Sequence, residues 1–157
     1  MTLKGIIDTD TVNYKKISMI LEFPNCSFKC DKECGKQVCQ NGILATTPNI
    51  EINPIDIIKR YMDNEITQAV CCQGLEPFDS FADLLTFILL FRSISDDDIV
   101  IHTGYNEDEI VDKTERIKMY PNIVIKYGRF IPGQQSHYDE VLGVEIASDN
   151  QYAKKVS

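Results

Sequence analysis

Long apolar segments are missing from this chain of 157 residues. Its longest unbroken apolar run, Phe87 to Phe91, is far shorter than the about 20 residues that a membrane-spanning helix requires. The N-terminal residues carry a single Lys with no apolar stretch behind it, which is not the pattern of a secretory signal peptide. We therefore expect a cytoplasmic protein with no membrane partner.

Basic residues are also scarce, since 16 Lys and Arg face 24 Asp and Glu and give a formal net charge of −8. A surface this acidic repels phosphate backbones, which argues against a nucleic-acid partner. The 8 glycines include no Gly-x-Gly pattern, so a loop that cradles nucleotide phosphates has no support. The remaining composition is 43% apolar and 25% charged, which is typical of a folded domain, and the length predicts one domain over residues 1–157.

Cysteine, by contrast, is abundant and clustered. Because disulfides do not persist in a reducing cytoplasm, clustered thiols there are more often metal ligands or catalytic groups. An adjacent pair further along the chain falls in an apolar run and is expected to be buried as small apolar side chains. The 6 cysteines are Cys26, Cys30, Cys34, Cys39, Cys71 and Cys72.

The spacing of the first four cysteines favours iron over zinc. Three, three and four residues separate them on one segment, whereas structural zinc sites usually combine two close pairs held apart. Three thiolates would leave one iron of a four-iron cluster without a protein ligand, and that open position can bind a substrate or cofactor. Structural zinc and free thiols remain the alternatives at this point.

Four short apolar runs of strand length recur along the chain, with helical patterns between them. This alternation predicts an α/β fold with a parallel sheet and crossover helices. Ligands of such sheets bind beyond the C-terminal ends of the strands. The predicted strands are Ile17–Phe23, Ile66–Cys72, Asp98–His102 and Asn122–Lys126.

Three helices are predicted between these strands. One begins at Asn53-Pro54, a second is capped by Asp79 or Ser80, and an acidic third spans Asn106 to Met119. The side of the second helix that we expect to be buried carries Phe81, Leu84, Leu85, Ile88 and Leu89.

Three segments that follow predicted strands stand out as one candidate rim. They are the cysteine loop from Cys26 to about Pro48, which has room for one helical turn, the Gly74–Pro77 turn and the Thr103–Tyr105 segment. Since C-terminal ends of parallel strands meet at one edge, we expect the three segments to lie close together. A further segment, Gly133 to Asp139, reads as an exposed loop.

Several segments resemble one known family. Cys26-Ser-Phe-Lys-Cys30, directly after an apolar strand, resembles the start of the cluster motif of radical S-adenosylmethionine enzymes. Gly74-Leu75-Glu76-Pro77 resembles the family's Gly-Gly-Glu-Pro turn, with Leu75 in place of its second Gly. In order and total length the chain is most similar to the small activating enzymes of anaerobic ribonucleotide reductase. Their Thr-Gly-Tyr, Asp-Gly-Arg-Phe and Ser-Ser-Asn-Gln segments are matched here by His102-Thr103-Gly104-Tyr105, Tyr127-Gly128-Arg129-Phe130 and Ser148-Asp149-Asn150-Gln151.

The third cysteine of the resembled motif has two candidates in this chain. The family places two residues between its second and third cysteines, whereas here three residues separate Cys34 from Cys30 and eight residues separate Cys39 from Cys30. Local spacing therefore favours Cys34. The neighbouring residues favour Cys39, because relatives commonly carry an apolar residue before the third cysteine and a polar residue with Asn after it, as Val38 and Gln40-Asn41 do here.

The resemblance implies a fold, two cofactors and a set of ligand-binding residues. The implied fold is a partial (β/α) barrel or open parallel sheet of the radical S-adenosylmethionine type. A four-iron four-sulfur ([4Fe-4S]) cluster would be held by Cys26, Cys30 and one of the two candidates above. S-adenosylmethionine would bind at Gly74, Leu75, Glu76 and Pro77, whose family counterpart binds its amino group, and at Thr103 and Asn41.

The resemblance also implies an activity and two partners. The activity is reductive cleavage of S-adenosylmethionine to generate a glycyl radical on the large subunit of anaerobic (class III) ribonucleotide reductase. A small electron-donor protein, such as a flavodoxin or ferredoxin, would supply the electron. Two other classes stay open: a radical enzyme that acts on another peptide or small molecule, and a non-enzymatic zinc-binding domain.

Overall fold

A computed structural model describes all residues of the chain, 1–157. Two single 3₁₀ turns, Pro77–Ser80 and Glu107–Glu109, accompany five helices and ten strands. The helices are α1 (Lys29–Cys34), α2 (Gly42–Thr46), α3 (Pro54–Met62), α4 (Phe81–Arg92) and α5 (Val111–Ile117). The strands are β1 (Thr2–Leu3), β2 (Gly5–Asp10), β3 (Ser18–Phe23), β4 (Ile50–Glu51), β5 (Ala69–Gly74), β6 (Asp98–His102), β7 (Ile123–Tyr127), β8 (His137–Asp139), β9 (Val144–Ile146) and β10 (Tyr152–Lys155).

Six strands form one mixed sheet in the order β10-β7-β6-β5-β3-β2. The inner four are parallel, and β2 and β10 are added to the two edges as antiparallel strands. The predicted α/β class and the parallel order of the four predicted strands are therefore confirmed. The two antiparallel edge strands were not predicted, and since β2 and β10 do not pair with each other, the sheet is open.

The two faces of the sheet carry separate apolar layers because successive strand residues point to opposite sides. The larger layer includes Cys72 and Ile101 and packs against α3, α4 and α5. The smaller layer includes Cys71, Val100 and Leu142, and lies on the side of the β8–β9 hairpin. The paired cysteines of β5 are fully buried, one on each face, as expected for small apolar side chains.

Local chemistry explains where two of the helices begin and what they bury. The Asn53 side chain accepts a hydrogen bond from the Ile55 N–H at 3.0 Å, and Pro54 takes the first turn of α3, as predicted. In α4 the buried residues are Leu84, Phe87, Ile88 and Phe91. The prediction that Leu89 is buried was wrong, because one position past Ile88 rotates the side chain about 100° away from the stripe.

Three other segments differ from their predictions. The acidic helix expected over residues 106–119 is a 3₁₀ turn followed by α5, broken at Ile110, whose side chain is buried. The cysteine loop forms two short helices instead of one turn, and part of the expected exposed loop pairs as β8. Asp139 of β8 is buried and accepts hydrogen bonds from the Leu142 and Ala153 N–H groups, which ties the hairpin to β10. No helix is long and apolar enough to cross a membrane.

Two leucines of α4 provide a test of this packing. Leu84 is fully buried and Leu89 is 51% exposed. The two residues have the same side chain and lie on the same helix, so they differ only in their environment. Leu84→Ala should lower the free energy of unfolding by about 2–5 kcal/mol, because it leaves a cavity in the core. Leu89→Ala should change it by about 0.5 kcal/mol or less. Urea unfolding followed by circular dichroism measures both, and equal effects would contradict the assigned orientation of α4.

Candidate functional site

A cleft of about 270 Å³ lies at the C-terminal edge of the four parallel strands. Its walls come from the cysteine loop, the turn after β5 and the segments that follow β6 and β7. The structure thus brings the three segments of the expected rim together. The predicted site residues that line the cleft are Cys26, Cys30, Cys39, Asn41, Gly74, Leu75, Glu76 and Thr103.

Two predicted site residues do not line the cleft. Cys34 is the last residue of α1 and contributes nothing to the cleft wall. Pro77 is buried at the start of the 3₁₀ turn, where its fixed backbone angle suits the first position. Of the two candidates for a third thiolate, the structure therefore places only Cys39 beside Cys26 and Cys30.

The first two thiols are presented by a tight left-handed turn. Phe28, the residue before α1, has φ of 52°, and its N–H donates a hydrogen bond to the Cys26 sulfur at 3.2 Å. Cys30 follows in the first turn of α1. The turn is fixed from outside by Asp79, whose carboxylate accepts hydrogen bonds from the Ser27 N–H at 2.6 Å and the Tyr105 hydroxyl at 2.6 Å.

Hydrogen bonds made by residues at and beside Cys39 in the sequence hold it in the same cleft as the other two cysteines. Ahead of it, one carboxylate oxygen of Asp31 accepts hydrogen bonds from the N–H groups of Val38 and Cys39, at 2.7 and 2.8 Å. Behind it, the Asn41 side chain donates a hydrogen bond to the carbonyl of Gly74 at 2.6 Å. The cysteine loop is thereby fastened both to α1 and to the end of β5.

Two of the three cleft thiols, Cys26 and Cys30, lie in an environment that disfavours their ionisation. Burial raises the pKa of Cys26 to about 11 and also raises the pKa of Cys30. Thiols in such surroundings ionise when a metal ion replaces the proton. All 6 cysteines are free, so none of the three cleft thiols is used in a disulfide.

The spacing of the thiols also bears on which metal group they suit. No three His, Cys, Asp or Glu side chains converge tightly enough to hold one metal ion. A tetrahedral zinc ion needs all its sulfur ligands about 2.3 Å from a single centre. A four-iron cluster binds each thiolate through a different iron, so its ligands stand further apart.

Glu76 lies at the inner wall of the cleft and is 4% exposed. Its carboxylate accepts hydrogen bonds from the Phe78 N–H at 3.1 Å, the Thr103 hydroxyl at 2.8 Å and the Gly104 N–H at 2.9 Å. Burial nevertheless raises its pKa to about 7, against the lowering effect of these donors. Since a carboxylate offers about four acceptor positions, one position is left for a ligand.

Gly74 must be glycine for geometric reasons. Its φ is +100°, and a Cβ there would lie 2.7 Å from the Phe23 nitrogen and 2.9 Å from the Glu22 Cα. The next residue, Leu75, donates its N–H to the Phe23 carbonyl at 3.1 Å. The chain after β5 therefore runs directly against the end of β3, which sets the position of Glu76.

The floor of the cleft is a row of four polar side chains, one from each parallel strand. In the strand pairing, Glu22 lies opposite Gln73, and His102 lies opposite Lys126. The residues just before Gln73 and His102, Cys72 and Ile101, also lie opposite each other, so the two pairs are at the same level of the sheet. All four polar residues line the cleft. We call Glu22, Gln73, His102 and Lys126 the floor row. Sequence reasoning missed it, although each predicted strand has a polar residue at its end or next to its end.

Two members of the floor row are bases in a desolvated environment. Burial lowers the pKa of His102 to about 3, and its Nε2 atom has no hydrogen-bond partner. Burial lowers the pKa of Lys126 to about 8, and its ammonium donates only to the Gly128 carbonyl at 3.4 Å. At neutral pH the imidazole is therefore neutral and the ammonium is mostly charged. The cleft floor offers one cation that no carboxylate pairs with.

An ion-pair cluster closes the outer side of the cysteine loop. The buried Arg129 guanidinium donates to both carboxylate oxygens of Glu109, at 2.7 and 2.6 Å, and lies 2.9 Å from Glu33 of α1. Lys29 of α1 donates to the same Glu109 at 2.8 Å. Hydrogen bonding by Arg129 lowers the pKa of Glu109 to about 2, so the pair stays ionised over the physiological range.

No protein-family model matches the chain, and no curated protein or solved structure matches it either. The residues that the cleft gathers are therefore the basis for its function. They combine thiols, a buried carboxylate and an unpaired ammonium at the ligand-binding edge of an α/β sheet.

The raised pKa of Glu76 predicts how stability depends on pH. Its folded pKa is about 7 and its ordinary value is 4.5, so the native state holds this proton more tightly than the unfolded state. That stabilisation is complete below the unfolded pKa and is lost as pH rises through about 7, with a change on the order of 3 kcal/mol. Glu76→Gln removes the titration.

Urea unfolding of the reduced, metal-free chain at several pH values between about 5 and 7.5 measures this effect. The native chain should lose stability relative to Glu76→Gln across that range. The difference isolates Glu76, because His102, whose pKa is lowered to about 3, contributes the opposite slope in both chains. Parallel stability curves for the two chains would contradict the raised pKa.

Proposed function

We propose that this protein is a radical S-adenosylmethionine enzyme that activates a glycyl-radical enzyme. The observation that supports it most is the meeting of Cys26, Cys30, Cys39 and Glu76 in one cleft at the C-terminal edge of a parallel sheet. These residues are distant in sequence, and the resembled family uses its counterparts together. The open sheet would then be a smaller version of that family's partial barrel.

The three cleft cysteines would hold a [4Fe-4S] cluster. Thiolates are the usual ligands of such clusters, and three of them leave one iron available to another ligand. When bound, the cluster would supply the electron that cleaves S-adenosylmethionine and so produces the radical that abstracts hydrogen from the target glycine. The loop that carries these cysteines is held in place by Asp79 and by the Arg129 ion pairs described above.

The amino-acid end of S-adenosylmethionine would lie between the thiols and the floor row. The remaining acceptor position of Glu76 suits an ammonium group, and Lys126 suits a carboxylate, each as a charge-assisted hydrogen bond. Gly74 and Leu75 bring backbone to the same place, while Thr103 and Asn41 orient Glu76 and the Gly74 carbonyl. These residues bind and orient the ligand and take no part in moving protons.

The hydrogen donor would be a glycine of a large partner, anaerobic ribonucleotide reductase. Radical transfer requires near contact, so the target glycine would have to reach the cleft. Segments that follow cleft-lining residues expose apolar side chains that a partner could cover: Ile43 is 85% exposed, Ile131 37% and Tyr138 60%. A flavodoxin or ferredoxin would supply the electron.

Lys126 provides a test of ligand binding. Lys126→Met keeps the length of the side chain and removes its charge, so the affinity for S-adenosylmethionine should fall by about 10- to 100-fold. The control is Lys118→Met, since Lys118 is surface-exposed and pairs with Glu115 at 2.7 Å, outside the cleft. Calorimetric titration of the cluster-loaded protein measures both variants. Unchanged affinity in Lys126→Met would show that the carboxylate of S-adenosylmethionine does not bind at Lys126.

The activity is tested by anaerobic reconstitution with iron and sulfide, followed by addition of S-adenosylmethionine and a reductant. We expect a brown protein that forms 5′-deoxyadenosine, and a Cys26→Ala variant that forms none. With the reductase of the same genome, electron paramagnetic resonance should show a glycyl-radical doublet. A colourless, zinc-loaded protein would overturn the proposal. Formation of 5′-deoxyadenosine without a doublet would instead favour an enzyme that acts on another peptide or small molecule.

A further inference from the structure

Eight residues separate Cys30 from Cys39, and the chain does not run directly from one to the other. After Cys30 it continues through α1, which ends at Gly35 with φ of +66°. The left-handed Gly35 reverses the chain, and residues 36–38 then lead back toward the cleft. Cys34 is carried on α1 and stays outside the cleft, while Cys39 enters it.

One side chain connects the outgoing helix to the returning segment. Asp31 follows Cys30 directly, and its Oδ1 atom accepts the N–H groups of both Val38 and Cys39, at 2.7 and 2.8 Å. The two N–H groups next to the Cys39 side chain are thus bound to the residue adjacent to Cys30. The positions of the two cysteines are coupled through a single carboxylate oxygen.

We infer that Asp31 is a positioning residue that selects Cys39, and not Cys34, as the third thiolate of the site. This inference rests on the proposed function, since it concerns the thiolates that would hold the cluster. Asp31 touches no cofactor in this role and acts only through the backbone of Val38 and Cys39. An eight-residue separation becomes compatible with a compact three-thiolate site because this carboxylate closes the loop.

The chemistry of the contact sets the choice of variants. Hydrogen bonds to a carboxylate are stronger than those to a neutral acceptor. An Asn amide oxygen can still accept both N–H groups, whereas Ala accepts neither. Asp31→Asn should therefore preserve the loop and Asp31→Ala should release it. Lys32→Ala is the matched control, because Lys32 is the next residue of α1 and its exposed side chain makes no polar contact.

The first measurement is the rate at which an iron chelator removes iron from the reconstituted protein. Asp31→Ala should lose iron at least about tenfold faster than the native chain, while Asp31→Asn and Lys32→Ala stay within about twofold of it. The same substitution should act fully in a Cys34→Ala background. It should add nothing in a Cys39→Ala background, because two changes that act through one group are not additive. An equal effect of Asp31→Ala in both backgrounds would overturn the inference.

The second measurement needs no cluster. In the metal-free chain the amide protons of Val38 and Cys39 should exchange with solvent at least about tenfold faster in Asp31→Ala than in the native protein, and Asp31→Asn should restore protection. Equal exchange in all three chains would overturn the inference. A native chain that takes up no iron but keeps these two amides protected would overturn the proposed function and leave the positioning of Cys39 by Asp31 intact.

Discussion

Parallel pairing of the four inner strands is the constraint on which the site depends. The ladder pairs Phe23 with Gly74 and His102 with Lys126, so the strands end at the same level on one edge of the sheet. Each connection must cross back over the sheet before the next strand begins, which places the helices on one face. Every segment that follows a strand is thereby delivered to the same place, although some 100 residues separate the first segment from the last.

The same edge holds ionisable groups in surroundings that oppose their charges. Glu76 is buried and retains its proton more tightly than usual, while His102 and Lys126 release theirs more readily. Such groups cost stability, and the apolar layers beneath them offset that cost. Perturbed ionisation gathered in one cleft is typical of ligand-binding and catalytic sites, where incoming charges compensate for lost water.

The parts of the fold that could be predicted are those with a strong local signal. Runs such as Asp98–His102 are rich in apolar, β-branched residues, which allowed the parallel strands to be predicted. Asn53-Pro54 is a strong helix-start signal, which allowed α3 to be predicted. The edge strands β2 and β10 carry polar residues and lack a continuous apolar run, and their pairing is decided by tertiary context. The segments of the expected rim do line one cleft, as predicted. Which of Cys34 and Cys39 lies there could not be predicted, because it depends on the contacts of Asp31. Those contacts depend on a chain reversal that sequence spacing does not reveal.

The floor row also bears on the correct folding of the sheet. Its four polar residues lie at or next to the ends of four strands whose preceding residues alternate between two apolar layers. A slip of one position in any of these strands would turn its terminal polar side chain toward the helices and bury Glu22, Gln73, His102 or Lys126 without a partner. Misregistered pairings are therefore penalised at the point where the ligand would bind. The polar residues of the cleft floor therefore also serve, during folding, as a check on strand alignment.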